Sequence, residues 1–361
     1  MSTPTITYAN FRAIFNRKIG DIPIAVTTTS AGADTTYDTA ISTALKEYVT
    51  SSGSNDLFAD WWCYVPSTLE ERRVKSFDPT TGTLSFYRGF TARVATSTAI
   101  ELHKWQVSKK LLVMNDTLEY VCKDGFYAPS YDETIWGQEA YGEYADSAEF
   151  NKREYAVPTT FEEFPDRIVL FEGYTGRHTG DDDAAILTDE TKNWETSELV
   201  GLKIFNKTDG SSGTITANTS TTITATESGG TGNDWDTDDE YIVQKPDALP
   251  IDLKDYQVIR PAAGGAFKFY ATIPENYVIK LIGKGPLTNF STEAGTTELY
   301  DHQARIVAEK AAHLWFSLLA DEGIDSEKSR ENAAQHLASY EYGRPKRQLP
   351  TQRKVTMNWN W

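Results

Sequence analysis

Residues 184–245 constrain the fold of this 361-residue chain more than any other segment. Apolar runs of two to five residues alternate there with turn-forming Asp, Asn, Gly, Ser and Thr. This punctuation specifies short antiparallel strands, because each turn ends an apolar run before a helix can form. Residues 213–217 and 221–225 also have the spacing of a β-hairpin across Asn218-Thr219-Ser220. We therefore expect a small all-β module, inserted into a chain with helices on both sides.

Two segments in the N-terminal third have helical periodicity. In residues 105–122 the apolar positions recur every three or four residues, which predicts an amphipathic helix with one face formed by Val107, Leu111, Met114, Leu118 and Val121. Residues 36–49 are likewise expected to be helical, because Ile41, Leu45 and Tyr48 fall on one face and Asp38 is a suitable N-cap.

Strand signals flank the inserted module. The Asp78-Pro79-Thr80-Thr81-Gly82 sequence is a strong turn, and Leu84 and Phe86 alternate with Ser85 and Tyr87 after it, so a hairpin is expected over residues 72–88. A strand is expected at 167–171, and three more at 256–260, 266–272 and 277–282. The strands before and after the insertion are expected to share one domain.

Residues 126–156 are rich in Tyr, Glu and Asp and have weak periodicity, which predicts a long loop with short ordered pieces. Loops of this kind contact neighbouring molecules more often than they build a core. We expect lateral contacts between subunits to be made by five aromatic residues, Tyr127, Tyr131, Trp136, Tyr141 and Tyr144.

The C-terminal region combines a helical hairpin with a basic tail. Apolar residues in 298–319 and 325–342 recur at helical spacing on either side of Gly323. Residues 343–361 contain five basic residues, no acidic residue and a Trp-Asn-Trp sequence. A solubilising terminus is one interpretation, but Arg and aromatic residues are enriched at interfaces. An arm that docks on an acidic neighbour is the other, with contacts from Arg344, Lys346, Arg347, Arg353, Lys354, Trp359 and Trp361.

The bulk composition excludes several classes of protein. A net charge of −17 disfavours non-specific binding to nucleic acid over the whole surface. The sequence has no apolar run of 18 residues that would predict a membrane span, and the N-terminus does not resemble a signal peptide. The two cysteines, Cys63 and Cys122, predict buried thiols and synthesis in a reducing cytoplasm, because neither a disulfide framework nor a zinc site is suggested.

Candidate sites for chemistry are weak. Asp181, Asp182 and Asp183 could hold Ca²⁺, but the spacing of an EF-hand is missing, so a solvated turn is the expectation. No HExxH pair, nucleophile elbow or phosphate-binding loop is present. We expect no catalytic residue, no cofactor and no bound metal, and hence a protein that is not an enzyme.

These patterns predict an α+β fold with a β-rich body, an inserted small β-barrel-like module, supporting helices, a C-terminal helical hairpin and an extended tail. The expected domains are an α+β body (1–175), the inserted module (176–247), a β segment completing the body (248–297), the helical hairpin (298–342) and the basic arm (343–361).

The segments LTDETKNW, LVGLKIFN, GTITANTSTTITAT and NDWDTDDEYIV resemble a module of tailed-bacteriophage virion proteins. The N-terminal third is similar to phage neck and tail proteins in the order of its features, with Trp61-Trp62, Arg73-Val74, the TGTLSF hairpin, Glu101-Leu102 and then the helix LLVMNDTLEYV.

The resemblance implies a virion structural protein, most plausibly an adaptor that forms a homo-oligomeric ring at the head-to-tail junction. Its expected partners are portal or tail proteins, with DNA only as passing cargo and no membrane. Because head-to-tail adaptors are mostly shorter and more helical, a tail-tube, nozzle or fibre-anchoring subunit stays open. A carbohydrate- or receptor-binding module is a further alternative, with Trp194 and Trp235 stacking on sugars.

Overall fold

The chain forms two compact units: unit 1 contains residues 1–128 and 286–361, and unit 2 contains residues 129–285. Helix and strand are mixed within one chain, β-structure predominates, and the last described elements are helices, which agrees with the predicted α+β class. The computed structural model describes residues 5–33, 35–48, 57–137, 153–259 and 267–345.

Unit 1 combines helices with short strands, which are numbered here in chain order through the whole protein. Its helices are α1 (Tyr8–Ile19), α2 (Val107–Val121), α3 (Asp301–Asp321) and α4 (Ser326–Gly343), with 3₁₀ turns at Thr43–Tyr48 and Cys122–Asp124. Its strands are β1 (Ile6–Thr7), β2 (Ile24–Thr27), β3 (Thr39–Ile41), β4 (Trp62–Val65), β5 (Glu70–Asp78), β6 (Thr83–Phe86), β7 (Ala99–His103) and β20 (Thr296–Thr297).

Six of these strands form an antiparallel sheet in the order β2-β7-β4-β5-β6-β3. The two ends of the sheet meet, because the backbone N–H of Thr29 donates to the carbonyl of Ile41 at 2.8 Å and Ser30 bridges Ile41. The sheet is therefore strongly curled, although among the described residues β2 pairs along its length only with β7 and β3 only with β6. Its interior is apolar and includes Ala40, Val74, Phe77, Leu84, Ile100 and Leu102.

The structure confirms the hairpin predicted over residues 72–88. β5 pairs with β6, and the turn is closed by a 2.8 Å hydrogen bond from the Gly82 N–H to the Asp78 carbonyl. Leu84 and Phe86 are buried, as their alternation predicts.

The helix predicted over 36–49 is wrong. Residues 39–41 instead form β3, in which Ala40 is paired with Leu84 and fully buried, and a 3₁₀ turn follows. The helical spacing was real, but pairing with a distant strand satisfies the backbone and buries Ala40 at the same time.

A second core of unit 1 lies among its helices. The sequence reading missed α1, which begins after Thr7, whose Oγ1 accepts from the Asn10 N–H, and ends at Gly20 with φ of 70°. The predicted helix over 105–122 is confirmed as α2, and the C-terminal helical hairpin is confirmed as α3 and α4. Large side chains of this core come from several elements and include Phe11, Phe15, Met114, Leu118, Trp315 and Tyr340.

Unit 2 is built from strands. β8 (Ala128–Trp136) begins at the boundary between the units, and the others are β9 (Arg153–Ala156), β10 (Arg167–Arg177), β11 (Ile186–Thr188), β12 (Lys203–Asn206), β13 (Ser212–Asn218), β14 (Thr222–Ser228), β15 (Glu240–Gln244), β16 (Ile251–Asp252), β17 (Gln257–Ile259), β18 (Lys268–Ala271) and β19 (Tyr277–Gly285). One large sheet has the order β11-β14-β13-β12-β15-β10-β19-β8, with β16 beside β10, and a second sheet has the order β17-β18-β9.

The inserted strands and the body share β10. Its first half pairs with β19 and its second half pairs with β15, so this strand crosses the predicted domain boundary between residues 175 and 176. The β13–β14 hairpin is confirmed, as are the strands predicted after the insertion wherever the structure describes them. β10, which begins before the insertion, pairs with β19, which follows it.

The prediction of a long loop with short ordered pieces over 126–156 is wrong for residues 128–136, whereas the short strand at 153–156 is an ordered piece of the kind expected. Residues 128–136 form the nine-residue strand β8, and residues 153–156 form β9. β8 lacks the apolar alternation of an obvious strand, but it finds its partner in β19, about 150 residues later in the chain. Residues 138–152 lie outside the described part of the chain.

Two glycines of unit 1 provide a test of the turn between β5 and β6. Both have positive φ, which costs a non-glycine residue about 1 kcal/mol. A Cβ at Gly82 would lie 2.3 Å from the Ser42 carbonyl oxygen, whereas one at Gly20 would meet nothing within 4 Å. We expect Gly82→Ala to lower the unfolding free energy by clearly more than the ~1 kcal/mol cost of Gly20→Ala. Urea unfolding of the two variants measures this, and equal losses would contradict the described turn.

Candidate interaction surfaces

The aromatic residues predicted to make lateral contacts differ in how exposed their side chains are. Tyr131 lies on β8 and is 64% exposed, so its ring is available for contact. Tyr127 is half-buried against the helical core of unit 1, and Trp136 is half-buried against Phe205, with ring centroids 5.5 Å apart. Tyr141 and Tyr144 lie outside the described residues. Of the described candidates, only Tyr131 is strongly exposed.

Arg344 anchors the end of α4 inside unit 1. Its Nη1 lies 2.8 Å from Asp124 Oδ1, and its Nη2 lies 2.5 Å from Glu341. The Tyr340 hydroxyl donates to Asp124 Oδ2 at 2.7 Å, and both burial and this hydrogen bond raise the pKa of Tyr340. Arg344 thus fixes the point at which the predicted arm begins. The other arm candidates, Lys346, Arg347, Arg353, Lys354, Trp359 and Trp361, lie outside the described residues.

The negative charge of the protein is concentrated in unit 2. This unit has 29 acidic and 13 basic residues, which gives −16 of the total net charge of −17. Unit 1 is therefore close to neutral, and it carries all five basic residues of the predicted arm. Opposite charges on different parts of one chain favour contacts between copies, because complementary potentials steer encounter and fix orientation.

Hydrogen bonds join the acidic loops of the inserted strands. Asp182 Oδ1 accepts from the Thr237 N–H at 2.9 Å, and Asp236 Oδ1 accepts from the Asp183 N–H at 3.0 Å. Asp181, Asp182 and Asp183 are exposed, as expected for a solvated turn. Within the described ranges, no group of three or more His, Cys, Asp and Glu side chains is placed to hold a metal ion.

The two tryptophans considered for sugar stacking belong to the core of the inserted strands. Trp194 is 7% exposed and Trp235 is 2% exposed. Both pack edge-on against Tyr241, with centroid distances of 6.4 and 6.3 Å. A ring that fills a core cannot also present its face to a ligand.

A buried network of charged side chains joins parts of unit 1 that are far apart in sequence. Lys110 Nζ in α2 lies 2.9 Å from Asp21 Oδ2 and 3.0 Å from Asn16 Oδ1. Asp21 also accepts the backbone N–H groups of Lys104 and Trp105. The Lys110, Asp21 and Asn16 side chains are buried, so protein groups replace their water.

Two further carboxylates extend the network. His103 Nε2 lies 2.9 Å from Glu101 Oε2, and its Nδ1 lies 2.8 Å from Lys110 Nζ. Arg12 Nη2 contacts Glu101 at 3.2 Å and Glu293 at 2.6 Å. A cavity of about 270 Å³ lies beside Arg12, Glu101 and Glu293. Because the charged groups are paired with one another, the network suits holding elements together better than proton transfer.

The sequence patterns did not lead to a prediction of this network, although the sequence contains one signal of it. Lys110 falls on the apolar face of α2, three residues after Val107 and four before Met114. A lysine at such a position needs a buried partner, and that requirement points to a carboxylate elsewhere. Nothing in the sequence pattern identifies Asp21 as that partner.

No family model matches the chain, and no curated protein matches it. Among the described residues, no helix is long and apolar enough to cross a membrane.

Asp21 provides a pH-dependent test of the network. Burial alone raises its pKa, but His103, the Lys110 ammonium and backbone N–H donors outweigh it and lower the pKa from 3.8 to about 2. An acid with a lowered pKa stabilises the fold above its unfolded pKa, and that stabilisation disappears as the pH falls towards the folded pKa. We expect Asp21→Asn to cost about 3 kcal/mol at pH 7 and progressively less between pH 4 and 2.

Urea unfolding from pH 7 downwards measures the effect. The control is Glu322→Gln, which removes the exposed pair with Lys109 and should cost less than about 1 kcal/mol. A pH-independent loss in Asp21→Asn would contradict the described pairing.

Glu227 in unit 2 should have the opposite pH dependence. Burial, and then the charges of Asp209, Asp239 and Asp234, raise its pKa from 4.5 to about 7, although a hydrogen bond from Ser211 opposes the shift. An acid with a raised pKa favours the fold when protonated, so its ionisation lowers stability as the pH rises from 4.5 through 7. We expect Glu227→Gln to stabilise the protein by about 1 kcal/mol at pH 8 and to have little effect at pH 5. Unfolding curves at pH 5 and pH 8 measure the change in stability. An equal effect of Glu227→Gln at both pH values would contradict the raised pKa of Glu227.

Proposed function

We propose that this protein is a structural subunit of a tailed-bacteriophage particle. In this proposal it forms a closed ring at the head-to-tail junction and docks to neighbouring rings through its C-terminal arm. The resemblance of the inserted segment and of the N-terminal third to phage virion proteins supports the assignment. The proposed partners are other copies of the chain and portal or tail proteins, and the proposed location is the virion, after synthesis in the host cytoplasm.

The main observation behind the proposal is the difference in charge between the basic C-terminal arm and the acidic unit 2. A basic arm and an acidic unit in the same chain give each copy one donor surface and one acceptor surface. Contacts between two different surfaces are heterologous, and they close into a ring when the rotation between copies divides a full turn. Arg344 supports this arrangement, because its pair with Asp124 gives the arm a fixed starting point.

Details of the fold are consistent with a scaffold role. The curled sheet of unit 1 has its two ends joined at Thr29 and Ile41. A similar contact supports the proposed barrel-like module in unit 2, since the Thr179 N–H, just after β10, donates to the Thr188 carbonyl in β11 at 2.7 Å. Contacts of this kind partly cover the sheet edges involved, which limits uncontrolled edge-to-edge association there.

The alternatives have less support. A tail-tube, nozzle or fibre-anchoring subunit would use the same surfaces, and the position along the tail separates it from an adaptor. A carbohydrate-binding module would need exposed aromatic rings, whereas Trp194 and Trp235 are buried. An enzymatic role has no supporting constellation among the described residues. DNA is proposed only as passing cargo, since the acidic charge disfavours adhesion to the genome.

Deletion of the arm tests the proposal. We expect the full-length protein to give rings in negative-stain images, and the variant lacking residues 346–361 to remain folded but fail to join its partner ring. This deletion keeps Tyr340, Arg344 and their contacts with Asp124. Circular dichroism and thermal melting provide the folding control. Assembly of infectious particles from the truncated protein would refute the role of the arm, and a full-length protein that stays monomeric with purified neighbours would refute the ring.

A further inference from the structure

The last seven residues of the chain have the sequence pattern of a β-strand with one apolar face. Val355, Met357, Trp359 and Trp361 alternate with Thr356, Asn358 and Asn360. A period of two places the first set on one side of an extended backbone and the second set on the other. The basic residues Arg353 and Lys354 come directly before this pattern. Residues 355–361, called the terminal segment below, therefore suit addition to a sheet that offers an apolar groove and acidic surroundings.

Unit 2 contains a groove of this kind. A cavity of about 630 Å³ opens where the large sheet and the three-stranded sheet of this unit come together. Leu170, Leu253, Tyr256 and Tyr270 are among its lining residues. Its volume falls within the range of about 300–1,000 Å³ that is typical of ligand pockets. Two indole side chains, which bury large areas on binding, are suitable occupants.

Exposed aliphatic side chains lie in the lining of this groove or next to it in sequence, together with charged ones. Leu249, Ile251 and Val258 are 81%, 48% and 43% exposed, which places three aliphatic side chains in water within ten residues. Asp252, Lys254 and Asp255 also line the groove and are exposed, and Asp252 pairs with Arg167 at 2.6 Å, which leaves Asp255 as the carboxylate open to a further cation. The groove lies in the unit that carries −16 of the net charge, so the Arg353 and Lys354 side chains would be attracted to this unit as a whole.

Backbone groups are available at the same place. Within the part of the chain that the structure describes, β17 pairs only with β18, and β16 pairs only with β10. Both strands border the groove through Ile251, Asp252 and Gln257. The free side of β17 presents N–H and C=O groups that an added strand can satisfy, while alternate side chains enter the groove.

We propose that the terminal segment of one copy adds as a β-strand along β17 in unit 2 of another copy, with its apolar face in the groove. This inference rests on the proposed function and assigns the arm a contact between copies of the chain, in addition to its proposed docking to neighbouring rings. Residues 346–354 can span up to about 30 Å when extended, which allows the segment to leave unit 1 and reach an adjacent copy.

Cysteine cross-linking between full-length variants tests the proposal. One partner carries Gln257→Cys, because Gln257 lies on β17 and lines the groove. The other carries one cysteine in the terminal segment. The native Cys63 and Cys122 are buried and should stay unreactive under mild oxidation. A disulfide needs Cβ atoms about 3.5–4.5 Å apart, so only residues on the facing side can react well. The donor series is V355C, T356C, M357C, N358C, W359C and N360C.

We expect the yield of covalent dimer to alternate along this series, with V355C, M357C and W359C at least about five-fold above their neighbours. The matched control acceptor is Ile186→Cys, which is 44% exposed in the same acidic unit but outside the groove. It should give low yields with every donor. Melting curves of all variants confirm that they remain folded.

Other outcomes overturn the inference. Uniform yields along the series would mean that charge alone tethers the arm. Alternation only within a chain that carries both cysteines would mean that the segment binds its own groove. Rings in negative stain without cross-links would leave the proposed assembly intact and reject this acceptor, whereas absence of both rings and cross-links would reject the proposed function as well.

Discussion

The buried pair between Lys110 and Asp21 is the interaction on which unit 1 depends. Asp21 lies in the loop between α1 and β2, accepts the backbone N–H groups of Lys104 and Trp105, and neutralises a lysine in α2. Glu71 of β5 accepts the N–H groups of Val107 and Ser108 at the first turn of the same helix, where carboxylates are electrostatically favoured. Carboxylates thus hold the curled sheet and the helices in one arrangement. Removing one partner of such a pair leaves a buried charge without its counter-ion, which is strongly destabilising. The pairing therefore favours this one arrangement of the elements.

Unit 2 depends on a different device, the long strand β10. Its neighbours change from β16 and β19 to β15 along its length, so it belongs both to the sheet of the body and to the inserted strands. The insertion is therefore continuous with the sheet that carries it. The same unit holds nearly all the net negative charge, so its surface differs in chemistry from unit 1. That contrast within one chain is the physical basis for proposing association between copies.

Local patterns predicted the elements whose partners are close in sequence. The β5–β6 hairpin has a strong turn at Asp78–Gly82, the β13–β14 hairpin has a short connection, and α3 and α4 are joined through Gly323. The elements that were misread obtain their structure from distant partners. The local pattern around β3 predicts a helix because the pairing with β6 is not visible locally, and the pattern around β8 predicts a loop because its partner β19 lies far along the chain.

The amino-acid sequence by itself determined the α+β class, the strand-rich insertion, the C-terminal helical hairpin and the basic arm, since periodicity, turn residues and charge act over a few residues. Only the tertiary structure decided which strands meet, that Trp194 and Trp235 fill a core, and that Arg344 is tied to Asp124. It also paired Lys110 with Asp21, a contact between residues 89 positions apart. Such choices depend on burying apolar surface and satisfying polar groups across the whole fold, which no local window of sequence contains.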